Sequence, residues 1–213
     1  MPRDIGPTTW VDWSRDRNVS CETLRRLDLY AEMLARWSPR INLVAPATLA
    51  DLRERHILDS AQLLVHIPED ARSLCDLGSG AGLPGLVLAA LAVEFRPNLC
   101  TELVEADRRK AVFLREAARS MDITVRVLPA RAEDLPARAA EVVTARGLAP
   151  LARLVPLAQR HLRPGGRAIF PKGANWEKEI REARETGTFT VTAAPSLTDP
   201  AARILVIEGL ADG

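Results

Sequence analysis

The sequence predicts an α/β protein: an open, mostly parallel seven-stranded sheet with an antiparallel last strand and helices on both faces, preceded by a small helical cap. Three observations carry this. From residue 72 onward, short apolar runs alternate with longer runs whose apolar residues recur at helical spacing. The first strand passes into a helix through CDLGSGAGLPG (75–85), a stretch with four glycines. Ahead of it lie two helical patterns with no strand between them.

Residues 1–19 are polar and broken by Pro2, Gly6 and Pro7, which predicts a flexible arm. The cap, 20–70, follows. Leu24, Leu27, Tyr30, Ala31, Leu34 and Trp37 share one helical face, Ser20 suits the N-cap, and Thr23 stands where a capping box would have Glu. Pro39 is expected to stop this helix. A second helix is expected in PATLADLRERHILDSAQLLVHI, ending before Pro68. The main domain, 71–213, then reads strand RSLCDLG, helix LPGLVLAALAVEF, strand LCTELVEA, helix DRRKAVFLREAARSMD, strand ITVRVLP and strand EVVTARG. Helix LAPLARLVPLAQRHL, strand GGRAIFPKG and helix ANWEKEIREARETG come next. The final strands, FTVTAAPSL and ARILVIEGL, have too little chain between them for a helical crossover, so they should pair antiparallel.

A chain of 213 residues, 47% hydrophobic and 27% charged, can bury one core and carry a small appendage. Its net charge of +1 gives no global attraction to nucleic acid or anionic membranes. Lys110, Lys172 and Lys178 are the only lysines. An arginine-rich surface suits phosphate and base contacts, although a GC-rich genome also spells basic residues as arginine. Cys21, Cys75 and Cys100 form no CxxC and have no metal-ligand spacing, so free thiols and no metal are expected. No segment reads as a membrane span or a targeting peptide, and a cytoplasmic monomer is expected.

A strand, a glycine loop and a helix make a nucleotide-cofactor site at the carboxyl ends of an open α/β sheet. Gly78, Gly80 and Gly82 are spaced G-x-G-x-G, not the G-x-G-x-x-G of dinucleotide sites. Asp76 stands before the first glycine, where an acid suits a sulfonium or α-amino group better than a pyrophosphate. Glu105 ends the second strand, placed to accept two ribose hydroxyls. Ala132 and Glu133 follow the third strand, within reach of an adenine amino group. The set favours S-adenosylmethionine over a nicotinamide dinucleotide.

INLVA (41–45), RHILDS (55–60), DLGSGAGLPG (76–85), RKAVFLRE (109–116), ARAEDL (130–135), ARGLAPL (145–151) and PKG (171–173) together resemble the bacterial small-subunit ribosomal RNA methyltransferase G family, also called glucose-inhibited division protein B. RHILDS ahead of GLPG is the most specific part. The resemblance implies a Rossmann-like class I methyltransferase with S-adenosylmethionine as donor and S-adenosylhomocysteine as product. It also implies methylation of N7 of one guanine in 16S ribosomal RNA. It places Gly78 and Leu83 on the cofactor, Ala132 and Glu133 beside its adenine, and Arg146 at the end of the fourth strand. The chain departs from common family choices at Ser79, Ala81 and Glu105, and in ARGLA where relatives often show SRAFA.

The chemistry agrees with that target. The fourth strand end lacks the [DN]-P-P-[YF] of exocyclic-amine methylases and the Pro-Cys of carbon-5 pyrimidine methylases. Guanine N7 has an in-plane lone pair and no proton to lose, so positioning suffices and no general base is expected. Arg146 is the leading site candidate, on the cofactor carboxylate, the guanine O6 edge or a phosphate, or else in an ion pair with Asp76 or Glu133. Lys172 either holds RNA phosphate or is a solvated strand end. His56, Asp59 and Ser60 share a helix face, bordering the site or knotting the cap to the sheet. Asn42 contacts the base or caps a helix. Trp10, Trp13 and Trp176 are candidates for base stacking, and His66 and His161 read as surface or boundary residues. Arg108, Arg109, Arg146, Lys172 and the Arg53–Arg55 turn could form a local RNA patch, in which case an assembled particle should be the substrate. Two other functions fit the same residues: methylation of a small molecule, and a noncatalytic module that binds S-adenosylmethionine or docks on the ribosome. A nicotinamide oxidoreductase fits less well, for want of a proton-transfer set.

Overall fold

The computed structural model describes residues 8–185 and 187–210. It contains one seven-stranded sheet in the order β3-β2-β1-β4-β5-β7-β6. The strands are β1 (Ser73–Leu77), β2 (Cys100–Val104), β3 (Arg126–Leu128), β4 (Ala140–Thr144), β5 (Leu162–Lys172), β6 (Thr190–Pro195) and β7 (Arg203–Glu208). β1 to β5 run parallel, and β7 inserts antiparallel between β5 and β6. The helices α4 (Gly85–Phe95), α5 (Arg108–Ser120), α6 (Leu151–His161) and α7 (Trp176–Arg184) fill the crossovers, as the alternation of patterns predicts. Chain direction across the sheet reverses between β1 and β4, so a crevice opens at their carboxyl ends.

The two faces have different cores. Leu86, Leu91, Phe113 and Leu114 from α4 and α5 join the N-terminal helices in one cluster. Leu151, Leu154, Ile180 and Ala183 from α6 and α7 form the other with Val143 and Phe170. The N-terminal helices therefore extend the main core on one face.

The polar arm needs correction over its described part. Trp10–Asp16 is a helix, α1, whose Thr9 hydroxyl accepts the Asp12 N–H at 3.1 Å. Trp10 and Trp13 stack at 5.5 Å and are 5% and 1% exposed, so neither ring is free to stack on a base. Proline and glycine punctuation ends at Pro7, and the paired tryptophans one helical turn apart supply the burial that the polar average hides. The expected arm's first seven residues lie outside the described part of the chain.

α2 spans Cys21–Ile41 and runs through Pro39. The proline removes one late hydrogen bond, but the Asn42 N–H still reaches the Ser38 carbonyl at 3.0 Å, so the last turn closes. Asn42, in left-handed backbone with φ 50°, is the C-cap. At the other end Ser20 accepts the Thr23 N–H as expected. The carboxylate missing from the capping box comes from Glu94 of α4, which accepts the Ser20 N–H at 3.2 Å and its hydroxyl at 2.9 Å. The expected second cap helix is segmented: 3₁₀ turns at Pro46–Asp51 and Gln62–His66 flank a π-turn at Arg53–Leu58 and one α-turn, α3 (Asp59–Ala61).

Tyr30 of α2 is fully buried and donates its hydroxyl to the Ala81 carbonyl at 2.7 Å, tying the cap to the glycine loop. Tyr30→Phe leaves that carbonyl unpartnered inside the protein. We expect a loss of ~1–3 kcal/mol, seen as a melting temperature lower by about 2–12 °C. An unchanged thermal transition would contradict this assignment.

Candidate active site

The loop after β1 turns sharply through Gly78, Gly80 and Gly82, with φ of 63°, 54° and 89°. A Cβ at Gly78 would lie 2.5 Å from Leu148 Cδ1. Beneath the loop Asp76 is fully buried, accepting the Thr144 hydroxyl at 2.8 Å and the Gly85 N–H at 3.3 Å. Burial pushes its carboxyl up to about 6, against the opposing pull of these hydrogen bonds and of Arg146. Asp76 is therefore corrected from a cleft residue to a brace under the loop. A close approach explains Gly85, where a Cβ would meet Asp76 Oδ2 at 2.6 Å and Leu103 Cδ2 at 2.4 Å.

A cleft of about 460 Å³ opens above the loop. Gly78, Gly80, Leu83, Glu105, Ala132, Glu133 and Arg146 all line it, while Gly82 and Asp76 lie behind. Glu105 is 8% exposed and accepts the Gly80 N–H at 2.7 Å and the Asp107 N–H at 2.8 Å, one bond per oxygen. Lone pairs remain on both oxygens for hydroxyl donors. Ala132 opens a single 3₁₀ turn, and its carbonyl accepts from His161 Nε2 at 2.9 Å. His161 is fully buried, which corrects its expected place at the surface. Glu133 is exposed on the rim, 3.9 Å from Arg131. Leu43 and Lys110 also line the cleft. Neither stands out within its own motif: Leu43 is one apolar residue of INLVA, and Lys110 is the last of three consecutive cations after Arg108 and Arg109.

Arg146, just past β4, stands between this cleft and a larger recess of about 1010 Å³, and lines both. The alternative ion pair with Asp76 or Glu133 does not form. Instead Nη1 donates to Asp59 Oδ2 at 2.9 Å and Nη2 to His56 Nδ1 at 3.1 Å. The His56 tautomer follows from Thr48, whose hydroxyl proton goes to the Ala45 carbonyl at 2.8 Å. Thr48 must then accept from Nε2–H at 2.8 Å, leaving Nδ1 as the acceptor for Arg146. Asp59 Oδ1 accepts the Thr198 hydroxyl at 2.9 Å and the Gln62 amide at 3.0 Å, and Gln62 Oε1 accepts the Leu197 N–H at 2.7 Å. One knot thus joins the segmented helix, the end of β4 and the β6–β7 hairpin. The π-turn preserves the expected convergence of His56 and Asp59, while Ser60 is fully buried in the interior.

The remaining candidates divide. Lys172 borders the larger recess, but its ammonium donates to Glu179 at 2.7 Å and to the Ala149 carbonyl at 2.9 Å. At 10% side-chain exposure it is neither a solvated strand end nor a free phosphate ligand. Glu179 also accepts the Leu151 N–H, so this pair fixes α6 to α7. Asn42 is exposed and lines neither cavity. Of the RNA-patch candidates, Arg53 pairs with Asp28 at 2.7 Å and Arg109 with Asp107 at 3.4 Å. Arg55 and Arg108 are exposed and have no carboxylate partner among the described residues. No group of potential metal ligands occurs among the described residues, and no helix there is long and apolar enough to cross a membrane.

His56 makes a pH test possible. Burial, reinforced by the Arg146 charge and opposed by Asp59, depresses it from its usual 6.5 to about 4. The unfolded chain takes up this proton as pH falls below 6.5, and the folded chain waits until about 4, so folding loses stability across that window. Asp76 acts in the opposite sense, since its raised pKa favours the folded state as pH falls through about 6. Comparing wild type with His56→Gln cancels the Asp76 effect. In denaturant titrations from neutral to mildly acidic pH, wild type should lose more stability than the variant, and parallel curves would refute the buried neutral histidine.

The model of the family described as "rRNA small subunit methyltransferase G" (GidB) matches residues 23–203. The chain is 49% identical to the ribosomal RNA small subunit methyltransferase G of Rhodospirillum centenum, over 94% of this chain and 91% of that one. It is 48% identical to the protein of the same name from Paramagnetospirillum magneticum, over 92% and 93%. Among solved structures, an S-adenosylmethionine-dependent methyltransferase from Aquifex aeolicus superposes with a TM-score of 0.57 at 14% identity, covering 78% of this chain and 94% of that one. A TehB-like methyltransferase from Corynebacterium glutamicum also gives 0.57, at 15% identity over 81% and 95%. These last two likenesses establish the class I methyltransferase fold. By sequence, over most of its length, the chain belongs to the rRNA small subunit methyltransferase G family.

Proposed function

We propose that this protein transfers a methyl group from S-adenosylmethionine to N7 of one guanine in 16S ribosomal RNA. The observation that carries the reading is Arg146 at the junction of two adjoining cavities, one with a nucleoside-sized set of partners and one open to a larger substrate. The smaller cleft fits the cofactor. Its loop presents bare backbone at Gly80, Glu105 keeps lone pairs for the ribose hydroxyls, and Ala132 and Glu133 form the turn beside the adenine. Bound there, the cofactor supplies an electrophilic sulfonium methyl.

The chain's own residues then position the target. Two of the five N–H groups of Arg146 are taken by Asp59 and His56, and the other three point to no acceptor among the described residues. They suit the cofactor carboxylate or the guanine O6. Asp59 offsets the Arg146 charge, which lowers the cost of a base becoming cationic beside it. His56 is held neutral and has both ring nitrogens engaged, so it takes no proton. A lone pair that carries no proton needs no base, so the site fits N7 better than an exocyclic amine. Asp59 and His56 act as positioning residues, and Lys172 supports the recess wall through Glu179.

The substrate is an assembled small subunit or an assembly intermediate. A net charge of +1, with Arg146 and Lys172 already paired, gives little grip on naked RNA. The large exposed apolar residues, Val11, Val65, Val93, Val112 and Leu148, are spread over separate elements, which favours a monomer, and we place it in the cytoplasm with the ribosome.

The test is transfer of labelled methyl to small subunits that lack the modification, with the nucleoside identified by mass. We expect 7-methylguanosine at one site and far less transfer to protein-free RNA. Arg146→Ala should lower kcat/KM by about a hundredfold or more. Labelled N2-methylguanosine, or wild-type turnover in Arg146→Ala, would overturn the reading.

A further inference from the structure

Arg203 opens β7 and lines the larger recess. Its Nη1 donates to the Pro200 and Ala202 carbonyls at 2.8 and 2.7 Å. Its guanidinium carbon lies 5.5 Å from the centre of the Trp176 ring, at the start of α7. The two carbonyls fix the direction of the fork, and the indole lies beside it. Around the same recess, Arg146 and Lys172 are paired with Asp59 and Glu179. Arg203 has no carboxylate partner among the described residues. A long, flexible cation is thus immobilised, unneutralised, with Nε and Nη2 unused, on the wall of the recess that receives the substrate. Holding an arginine in one geometry costs side-chain entropy, and no ion pair offsets it.

We propose that Arg203, backed by Trp176, is a subsite for a nucleotide flanking the target guanine, whose base stacks on the guanidinium plane. The inference rests on the RNA substrate proposed above. Recognition of single-stranded RNA relies on unstacked bases that lie on arginine planes and aromatic rings. A plane held in place by two carbonyls beside an aromatic ring suits stacking, whereas a lone phosphate contact needs only a mobile charge. The β6–β7 hairpin that carries Arg203 also carries Thr198, which hydrogen-bonds Asp59, so the flanking subsite and Arg146 share one support.

The test is an anisotropy titration of a labelled single-stranded oligoribonucleotide at low salt, with wild type, Arg203→Met and Arg203→Lys. Arg203→Met should weaken binding about tenfold and reduce the slope of log affinity against log salt by about one, with S-adenosylhomocysteine affinity unchanged. Arg203→Lys should regain the slope but not the affinity. On small subunits, Arg203→Met should raise KM and spare kcat. Wild-type binding by Arg203→Met overturns the proposal, and full recovery by Arg203→Lys reduces it to a charge contact and overturns the stacking. If Arg203→Met melts early, Arg203→Lys decides alone: lost affinity supports the plane and retained affinity refutes it. Loss of oligonucleotide binding in Arg203→Met, from a wild type that methylates no subunit, would uphold the subsite and sink the proposed function.

Discussion

The ion pair between Arg146 and Asp59 is the constraint on which the site depends. Its partners are 87 residues apart, one on the segmented helix and one just past β4. Both side chains are about one-fifth exposed, so removing either leaves a partly buried charge without its counterpart, which is far costlier than losing a surface pair. Each oxygen of Asp59 has a different task, one on Arg146 and one on Thr198 and Gln62. A local change in the segmented helix would therefore reach the strand end and the hairpin together. The π-turn at Arg53–Leu58 belongs to this arrangement, because it sets the spacing at which His56 and Asp59 both meet one guanidinium.

The glycine loop is held in a complementary way. Left-handed glycines give it shape but no rigidity of their own. Rigidity comes from three side chains: Asp76 below, Glu105 just past β2, and Tyr30 from the cap. Each satisfies a loop backbone group that would otherwise be left unpaired in or near the core. The cap thereby helps to shape the cofactor cleft as well as covering it.

Much of this was legible in the sequence, for reasons that differ by element. Strands and helices of the sheet showed as a change of hydrophobic period, a local signal that survives without tertiary information. The antiparallel last pair followed from the short connection. Gly78, Leu83, Glu105, Ala132, Glu133 and Arg146 converge because each follows a strand at the same edge of the sheet, which strand order alone dictates. What escaped was set by contacts across the chain. Arg146's partner, the Glu179 that occupies Lys172 and the burial of Asp76 involve choices among several acids that local spacing cannot rank. Polar neighbours mask Trp10 and Trp13, and Pro39, a helix breaker by local rule, falls in a turn that can close without its N–H.

The carboxylate that Glu94 lends to Ser20 has a consequence for the order of assembly. A ribosome makes residue 20 well before residue 94, so the nascent α2 begins without the group that completes its first turn. Its start becomes fully satisfied only when α4 has formed and docked, across 74 residues of chain. The cap helix is thus finished by the domain it covers, which makes the covering element a late reader of whether the sheet behind it has been built correctly.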